Sequence, residues 1–398
     1  MDISRRNFLR FAAVCAGAAL LPVYNGLGYA QDTYESRAMF DESLNWITPQ
    51  AAEKMCERLN RAGFNVLMPS VWHGRGTSWP SSIAPWDSDR LADMAKSSPG
   101  YDPLDNLIKT ARRYEIEVHP WFNVMLRQRE FFPQFYDSGT PQEAFEVHRP
   151  EFRDFICDLM LECVSRYPVQ GINLDYIRAV GISQSQYCID DYRKETGRNL
   201  VMDRTMYGVS SDAREALARW QERAVGDIVR RVSAAVRQMK NNMVISMCAS
   251  PTNPGLSIEG QDTLRWIDSG LVDVLYCMEY SENPDWTRLK GLQAQMKRPQ
   301  AMAVLCGNFD LIGPNRKAVA REGKKVVHVM EQSRTIGRDN GVALYLYNLL
   351  SDDQIEQLRK TTFSVPARPR WSRAALAAKA SDGIRQSGLG MKKTMVVV

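Results

Sequence analysis

The octapeptide Gly171-Ile172-Asn173-Leu174-Asp175-Tyr176-Ile177-Arg178 has the pattern of a short buried strand that ends at an acidic side chain. Apolar residues alternate with small or polar ones as far as Leu174, and an acid, an aromatic ring and a base then follow. In parallel α/β barrels the catalytic groups project from the carboxyl ends of the strands. The pattern therefore favours a catalytic role for Asp175 over the alternative, in which it caps a loop or pairs with Arg178.

Strand patterns of this kind recur along the chain and alternate with amphipathic helical patterns. The predicted strands are 37–40, 64–71, 116–124, 171–177, 243–249, 272–280, 301–306 and 342–346. The predicted helices are 49–62, 102–114, 150–166, 211–239, 263–268, 286–296, 317–336 and 352–361. This alternation predicts an α/β protein with a single (β/α)₈ TIM barrel. An open doubly wound sheet is the alternative, but no Gly-x-Gly-x-x-Gly follows the first strand.

Three long segments follow predicted strands, at 72–101, 125–148 and 180–210. In a barrel all three rise from the face that carries the active site, and loops of this length are usually functional or disordered. The first contains Trp72, Trp79 and Trp86. Aromatic rings suit the flat faces of sugars, although any one of these tryptophans could instead anchor its loop to the barrel.

The two ends of the chain differ from the body. Residues 4–10, Ser-Arg-Arg-Asn-Phe-Leu-Arg, have the twin-arginine form. An apolar run follows, and Gly28-Tyr29-Ala30 supplies the small residues of a cleavage site. Residues 1–30 are therefore predicted to be a signal peptide that the twin-arginine translocase recognises and signal peptidase removes, which leaves no stable membrane span. Residues 31–365 form the barrel, and residues 366–398 form a basic tail predicted to be disordered. The mature protein is expected in the periplasm or the medium.

Charge and histidine spacing exclude several classes of function. The net charge is +5, but the signal and the tail carry all of the excess, so the body is slightly acidic and no nucleic-acid partner is predicted. Only four histidines occur, without His-x-His, His-Glu-x-x-His or Cys-x-x-Cys. The sequence therefore predicts neither a metal site nor a cofactor.

Polar and aromatic residues follow the predicted strands and should meet at one rim of the barrel. Asp175 and Glu279 are predicted to be the catalytic pair, since glycosidic cleavage requires one carboxyl group to protonate the leaving oxygen and another to attack or to activate water. The predicted substrate-binding residues are Trp72, His73, His119, Trp121, Asn123, Tyr176, Arg178, Tyr280 and Tyr345.

Five motifs in order resemble one family. They are Phe-Asn-Val-Leu-Met-Pro-Ser-Val-Trp at 64–72, Pro-Gly-Tyr-Asp-Pro-Leu at 99–104, Glu-Val-His-Pro-Trp-Phe-Asn at 117–123, His-Arg-Pro-Glu-Phe-Arg-Asp at 148–154, and the octapeptide at 171–178. Together they resemble the bacterial family 10-like glycosyl hydrolases, which are exported (β/α)₈ proteins. The resemblance implies a sugar-polymer substrate and assigns the family's acid on the fourth strand to Asp175.

The sequence thus predicts an exported glycoside hydrolase that acts on an extracellular or envelope polysaccharide or its oligosaccharides. Asp175 would be the nucleophile or base and Glu279 the general acid, while Arg178 and His119 would keep Asp175 ionised and oriented. Two alternatives stay open. One is a barrel that binds polysaccharide without cleaving it, and the other is an amidase or lyase that acts on peptidoglycan.

Overall fold

The computed structural model describes residues 33–240, 242–252, 255–337 and 341–371. The predicted signal peptide and most of the predicted tail lie outside the described residues. The strands are β1 Arg37–Asp41, β2 Val66–Trp72, β3 Glu117–Val118, β4 Trp121–Asn123, β5 Gly171–Asp175, β6 Val244–Ala249, β7 Val274–Glu279, β8 Met302–Gly307, β9 Phe309–Ile312, β10 Lys317–Ala320 and β11 Val342–Tyr345.

Nine of these strands form one closed parallel barrel. Around the ring the order is β1, β2, the short strands β3 and β4 at one position, and then β5, β6, β7, β8 and β11. β11 pairs with β1 and completes the ring. β3 and β4 occupy a single position, since both pair with β2 and are separated only by His119 and Pro120. Proline has no N–H group to donate to a neighbouring strand, which accounts for the interruption. The predicted (β/α)₈ barrel is therefore confirmed.

The helices are α1 Pro49–Ala62, α2 Asp89–Ser97, α3 Pro103–Arg113, α4 Pro150–Arg166, α5 Gln186–Thr196, α6 Leu200–Met206, α7 Ser211–Met239, α8 Thr263–Asp268, α9 Trp286–Gln295, α10 Gly323–Gly337 and α11 Asp352–Lys360. Several begin where the sequence signals a start. The hydroxyl of Thr48 accepts the Ala51 amide hydrogen at α1, and the carboxylate of Asp102 does the same for Asp105 at α3, each just before a first-turn proline.

One predicted helix is wrong in part, and two of the long segments contain helices of their own. The helix predicted from residue 317 begins only at Gly323, because Lys317–Ala320 pairs antiparallel with Phe309–Ile312 in a hairpin. The turn between them is Gly-Pro-Asn-Arg at 313–316, and Gly313 and Arg316 both have positive φ angles. This composition is typical of a tight turn. The long segments 72–101 and 180–210 are not structureless, since they contain α2, α5 and α6.

The barrel interior is filled by side chains from alternate strand positions. Phe40, Trp121 and Tyr276 meet there edge to face, with ring centroids 5.3–5.4 Å apart. The intervening positions, such as Leu174 and Cys277, face the helices and belong to the larger outer core. Because side chains alternate along a strand, this division fixes which residue at each strand end faces the lumen.

The amino-terminal end of the barrel is closed by the chain itself. Trp371 packs with the interior cluster, and its indole N–H donates to Glu117 Oε2 at 2.7 Å. The backbone of Arg368 exchanges hydrogen bonds with Thr33 and Glu35 on the same side. The packed body therefore continues past the predicted boundary at residue 365.

Candidate active site

Asp175 is the last residue of β5 and faces the barrel lumen. Ile172 and Leu174 belong to the outer core, so the alternate positions Asn173 and Asp175 point inward. The Tyr176 amide donates to Asp175 Oδ1 at 2.7 Å. Tyr176 itself has a φ of 47°, a conformation that costs energy for a residue with a side chain. The backbone therefore turns sharply just where the carboxylate enters the lumen.

Burial governs the protonation of Asp175. The residue is 6% exposed, and this desolvation raises its pKa above the ordinary value. The Tyr176 amide, the charge of Arg178 and the indole N–H of Trp121 act in the opposite direction without cancelling the effect. Asp175 is thus suited to hold a proton at a pH where an exposed aspartate has lost it.

Aromatic rings form a wall beside this carboxylate, at the ends of β7, β8 and β11. Tyr280 stacks on Tyr345 with centroids 5.0 Å apart, and Phe309 meets both rings at 6.0–6.1 Å. Trp121 approaches Tyr345 edge to face at 6.4 Å. These contacts bring together Trp121, Tyr280 and Tyr345, three of the predicted substrate-binding residues.

Glu42 is a second carboxylate at this opening, and it was not among the predicted site residues. It follows β1, in which Ala38 and Phe40 face the lumen, and the Tyr345 hydroxyl donates to its Oε2 at 2.5 Å. The negative charges of Glu42 and Asp175 both contribute to raising the pKa of Tyr280 and of Tyr345, although burial of each phenol is the larger cause. The alternation Ala38, Phe40, Glu42 is the signal that could have identified this residue from the sequence.

The contacts of Glu279, the predicted partner of Asp175, do not bring it into this group. Tyr276 and Met278 face the lumen, and Glu279 is therefore directed toward the helices. Its Oε2 accepts a hydrogen bond from Arg288 of α9 at 2.9 Å, and its Oε1 accepts the Ser281 amide hydrogen at 3.2 Å. The residue is 9% exposed and serves to join β7 to α9.

A cleft of about 460 Å³ opens next to Glu42. It is lined by Glu42, Ser43, Leu44, His73, Arg75, Asp87, Gln128 and Asn348. His73 Nδ1 lies 3.4 Å from Asn123 Nδ2, and burial lowers the His73 pKa, so the ring is neutral near pH 7. Asn123 is the residue paired with Asp175 in the neighbouring strand, and its Oδ1 has no hydrogen-bond partner within the described ranges. His73 thus borders the cleft, and Asn123 lies beside it next to the Asp175 strand.

Two other predicted site residues lie elsewhere. Trp72 is fully buried among Phe132, Phe145 and Phe155, where it anchors the loops after β2 and β4. His119 is fully buried at the opposite end of the barrel, beside Trp371 and 3.2 Å from Glu117. It follows β3, which is only the lower half of an interrupted strand, and this break explains the error.

Arg178 lies near Asp175 but its ion pair is with another residue. Its Nε is 3.2 Å from Glu259, and its guanidinium lies over the Tyr176 ring at 4.6 Å. It therefore holds Tyr176 in place and acts on Asp175 through its charge.

Among the described residues, no group of three or more histidine, cysteine, aspartate or glutamate side chains could hold a metal ion. Within the same ranges, no helix is long and apolar enough to cross a membrane.

A closed parallel barrel whose strands alternate with helices, with carboxylates and aromatic rings at its carboxyl end, defines the class of TIM-barrel proteins. The family model for glycosyl hydrolase-like 10 matches residues 39–137 and 133–309, and the chain belongs to this family. The model of the twin-arginine translocation signal sequence matches residues 2–22, so the protein is exported to the periplasm or secreted.

Two curated relatives of the chain are also named glycosyl hydrolases. The chain is 24% identical over 266 residues to glycosyl hydrolase DigH of Escherichia coli K12, which covers 58% of this chain and 57% of the relative. It is also 24% identical over 244 residues to glycosyl hydrolase YngK of Bacillus subtilis 168, covering 50% and 48%. The chain thus matches about half the length of these relatives.

Solved structures agree in fold. The catalytic domain of a β-amylase from Paenibacillus polymyxa superimposes with a TM-score of 0.53 at 10% identity and covers 85% of this chain and all of that domain. A β-galactosidase from Rahnella sp. R3 gives a TM-score of 0.54 at 12% identity, covering 79% of this chain and 51% of that one. At this level of identity the likeness establishes the barrel alone.

Proposed function

We propose that the protein is an exported glycoside hydrolase that cleaves an extracellular or envelope polysaccharide with Asp175 and Glu42 as its paired carboxylates. The observation that carries the proposal is that both residues lie near Tyr345. The Tyr345 hydroxyl donates to Glu42, and its ring contacts Trp121 of β4, the strand that pairs with the Asp175 strand. Membership of the glycosyl hydrolase-like 10 family supports hydrolysis as the reaction.

The environments of the two carboxyl groups support different roles. Because burial raises the pKa of Asp175, this residue is the general acid that protonates the departing glycosidic oxygen. Glu42 is exposed and accepts the Tyr345 hydroxyl, so its carboxylate attacks the anomeric carbon or removes a proton from the attacking water. This reverses the roles expected from the sequence, in which Asp175 was the nucleophile or base.

Side chains around the opening would hold the sugar rings. Trp121, Tyr176, Tyr280 and Tyr345 offer aromatic surfaces, and Asn123 lies beside Asp175 in the neighbouring strand. His73 borders the cleft as a neutral ring that can donate or accept a hydrogen bond.

The test is a screen of peptidoglycan sacculi, glycol chitin, xylan and soluble starch for release of reducing ends. We expect one substrate to be cleaved by the wild-type protein and by Glu279→Gln, and to be left intact by Asp175→Asn. Binding without release by all three proteins would indicate a barrel that only binds polysaccharide. Release of amines or of unsaturated sugars from sacculi would indicate the amidase or lyase alternative.

The stereochemistry of the product tests the geometry of the pair. Carboxyl groups about 5 Å apart give retention at the anomeric carbon, and those more than roughly 6.5 Å apart give inversion. Nuclear magnetic resonance of the first product distinguishes the two outcomes.

A further inference from the structure

The hairpin of β9 and β10 rises from the end of β8 and is held firmly at its base. The buried guanidinium of Arg321 donates to the carbonyl oxygens of Gly307 and Phe309 at 2.8 and 2.6 Å, and to that of Tyr280 at 3.1 Å. It also pairs with Asp310 at 2.8 Å. The hairpin is therefore fixed relative to the rim of the barrel.

One face of this hairpin continues the aromatic wall of the candidate active site. Phe309 packs against Tyr280 and Tyr345, and Leu311 shares its face because side chains alternate along a strand. Ala320 lies directly opposite Phe309 and Ala318 directly opposite Leu311, so they belong to the same face. We call this surface, formed by Phe309, Leu311, Ala318 and Ala320, the mouth face.

The mouth face is entirely apolar, and it is exposed except at the half-buried Phe309. Leu311 is 45% exposed, and Ala318 and Ala320 are also exposed. The opposite face carries Asp310, Ile312, Lys317 and Val319, so the charged side chains of the two strands are confined to it. A smooth apolar strip that joins aromatic rings is a surface on which the C–H face of a sugar ring can be buried.

The mouth face and the cleft that Glu42 lines follow different strands of the barrel. The cleft residues follow β1, β2, β4 and β11, whereas the hairpin follows β8. β11 lies between β8 and β1 in the ring, and Tyr345 at its end contacts both Glu42 and Phe309, so the cleft and the mouth face lie on either side of Tyr345. A chain that contacts both surfaces must therefore pass Tyr345 and the Glu42 carboxylate to which it donates.

We propose that the mouth face forms distal subsites for the glycan, so that the substrate is a polymer that continues on both sides of the cleaved bond. The protein would then cut internal bonds. This inference rests on the proposed function for the position of the cleaved bond, but the binding surface can be tested separately.

The chain offers a matched pair of variants for this test. Leu311→Asp places a charge on the mouth face, and Ile312→Asp places the same charge on the opposite face of the same strand, at a position that is 52% exposed. Affinity electrophoresis in gels with glycol chitin, xylan or soluble starch measures binding, and an aryl glycoside of the retained polymer's sugar measures cleavage of a short substrate. Size-exclusion chromatography records the oligomeric state.

We expect Leu311→Asp to weaken retention by one polymer about five- to tenfold, and Ile312→Asp to leave it unchanged. Both variants should cleave the aryl glycoside at the wild-type rate. Equal retention of both variants, retention of the wild-type protein by none of the polymers, or a change of oligomeric state caused by Leu311→Asp alone would overturn the inference. If the retention difference is found but no glycan is cleaved, the proposed function fails and the binding surface stands.

Discussion

The two ends of the barrel contain similar side chains in opposite circumstances. At the amino-terminal end, Glu117 and His119 lie against Trp371, and this ring fills the opening. At the carboxyl-terminal end, Asp175 and Glu42 lie beside Tyr345, and a cleft of about 460 Å³ remains open. Acids and rings therefore do not by themselves make a site. The two ends differ in whether a side chain of the protein fills the opening of the barrel, as Trp371 does at the amino-terminal end.

The largest expected effect comes from replacing the two carboxylates at the open, carboxyl-terminal end of the barrel. Replacing Asp175 by Asn or Glu42 by Gln should lower the rate of glycan cleavage about 10²- to 10⁴-fold, because each change removes a group that transfers a proton or attacks. Initial rates of reducing-end release measure the effect. Glu279→Gln is the control, since this residue contacts Arg288 and not the opening. A loss with Glu279→Gln as large as that with Glu42→Gln would contradict the assignment of Glu42.

A buried acid at the open end should make stability depend on pH. Burial raises the pKa of Asp41 to about 7, and its Oδ2 has no hydrogen-bond partner among the described residues. The folded protein thus binds a proton more tightly than the unfolded chain, so the free energy of unfolding should fall as the pH rises from about 4 to about 7. The change attributable to this group is at most roughly 4 kcal/mol.

Denaturant unfolding at several pH values measures this dependence in the wild-type protein and in Asp41→Asn. The variant should show a smaller decline between pH 4 and 7, and the part that remains is due to other buried acids such as Asp175, whose pKa burial also raises. Asp93→Asn, at an exposed position, should keep the full decline. Parallel curves for the wild-type protein and Asp41→Asn would show that Asp41 is ionised in the folded state.

At the closed end a substitution should affect stability and leave catalysis alone. Trp371→Ala removes a half-buried ring and its hydrogen bond to Glu117, and should lower the free energy of unfolding by about 2 kcal/mol. The rate per folded molecule should be unchanged at a temperature where the variant is folded. A lower rate without a lower free energy of unfolding would mean that the amino-terminal end of the barrel also takes part in catalysis.

The smallest effect concerns the contact that holds Glu42. Tyr345→Phe keeps the ring but removes the hydroxyl that donates to Glu42, and should lower kcat about tenfold with a smaller change in KM. The pH profile of kcat should also shift, since the hydrogen bond acts on one carboxylate. Tyr280→Phe removes a hydroxyl from the same wall without touching that contact, so a shift of equal size in this variant would argue against a positioning role for Tyr345.

The fold could be predicted from the sequence because its signals are local and repeated. Apolar strands, capped helix starts and first-turn prolines specify each βα unit, and α1, α4, α7 and α8 have the predicted bounds. The hairpin after β8 was missed because Ala318 and Val319 suit a helix or a strand, and only pairing with Phe309–Ile312 decides between them.

The site was harder to predict because it depends on side-chain direction. Asp175 and Glu279 both end strands, but alternation turns one toward the lumen and the other toward α9. Applied to Ala38 and Phe40, the same rule selects Glu42. The placement of His119 could not be inferred in this way, because the break in the strand at Pro120 is visible only once the pairing of β3 and β4 is known.

The contacts of Arg368 and Trp371 have a consequence for the order of events in the cell. These residues bond to Thr33, Glu35 and Glu117, and β11 closes the ring against β1, so the first and last parts of the body complete each other. The ribosome must therefore release nearly the whole chain before the barrel can be finished. This order of events suits export by the twin-arginine translocase, which transports proteins that have already folded, because the barrel can be completed only after nearly all of the chain has been synthesised.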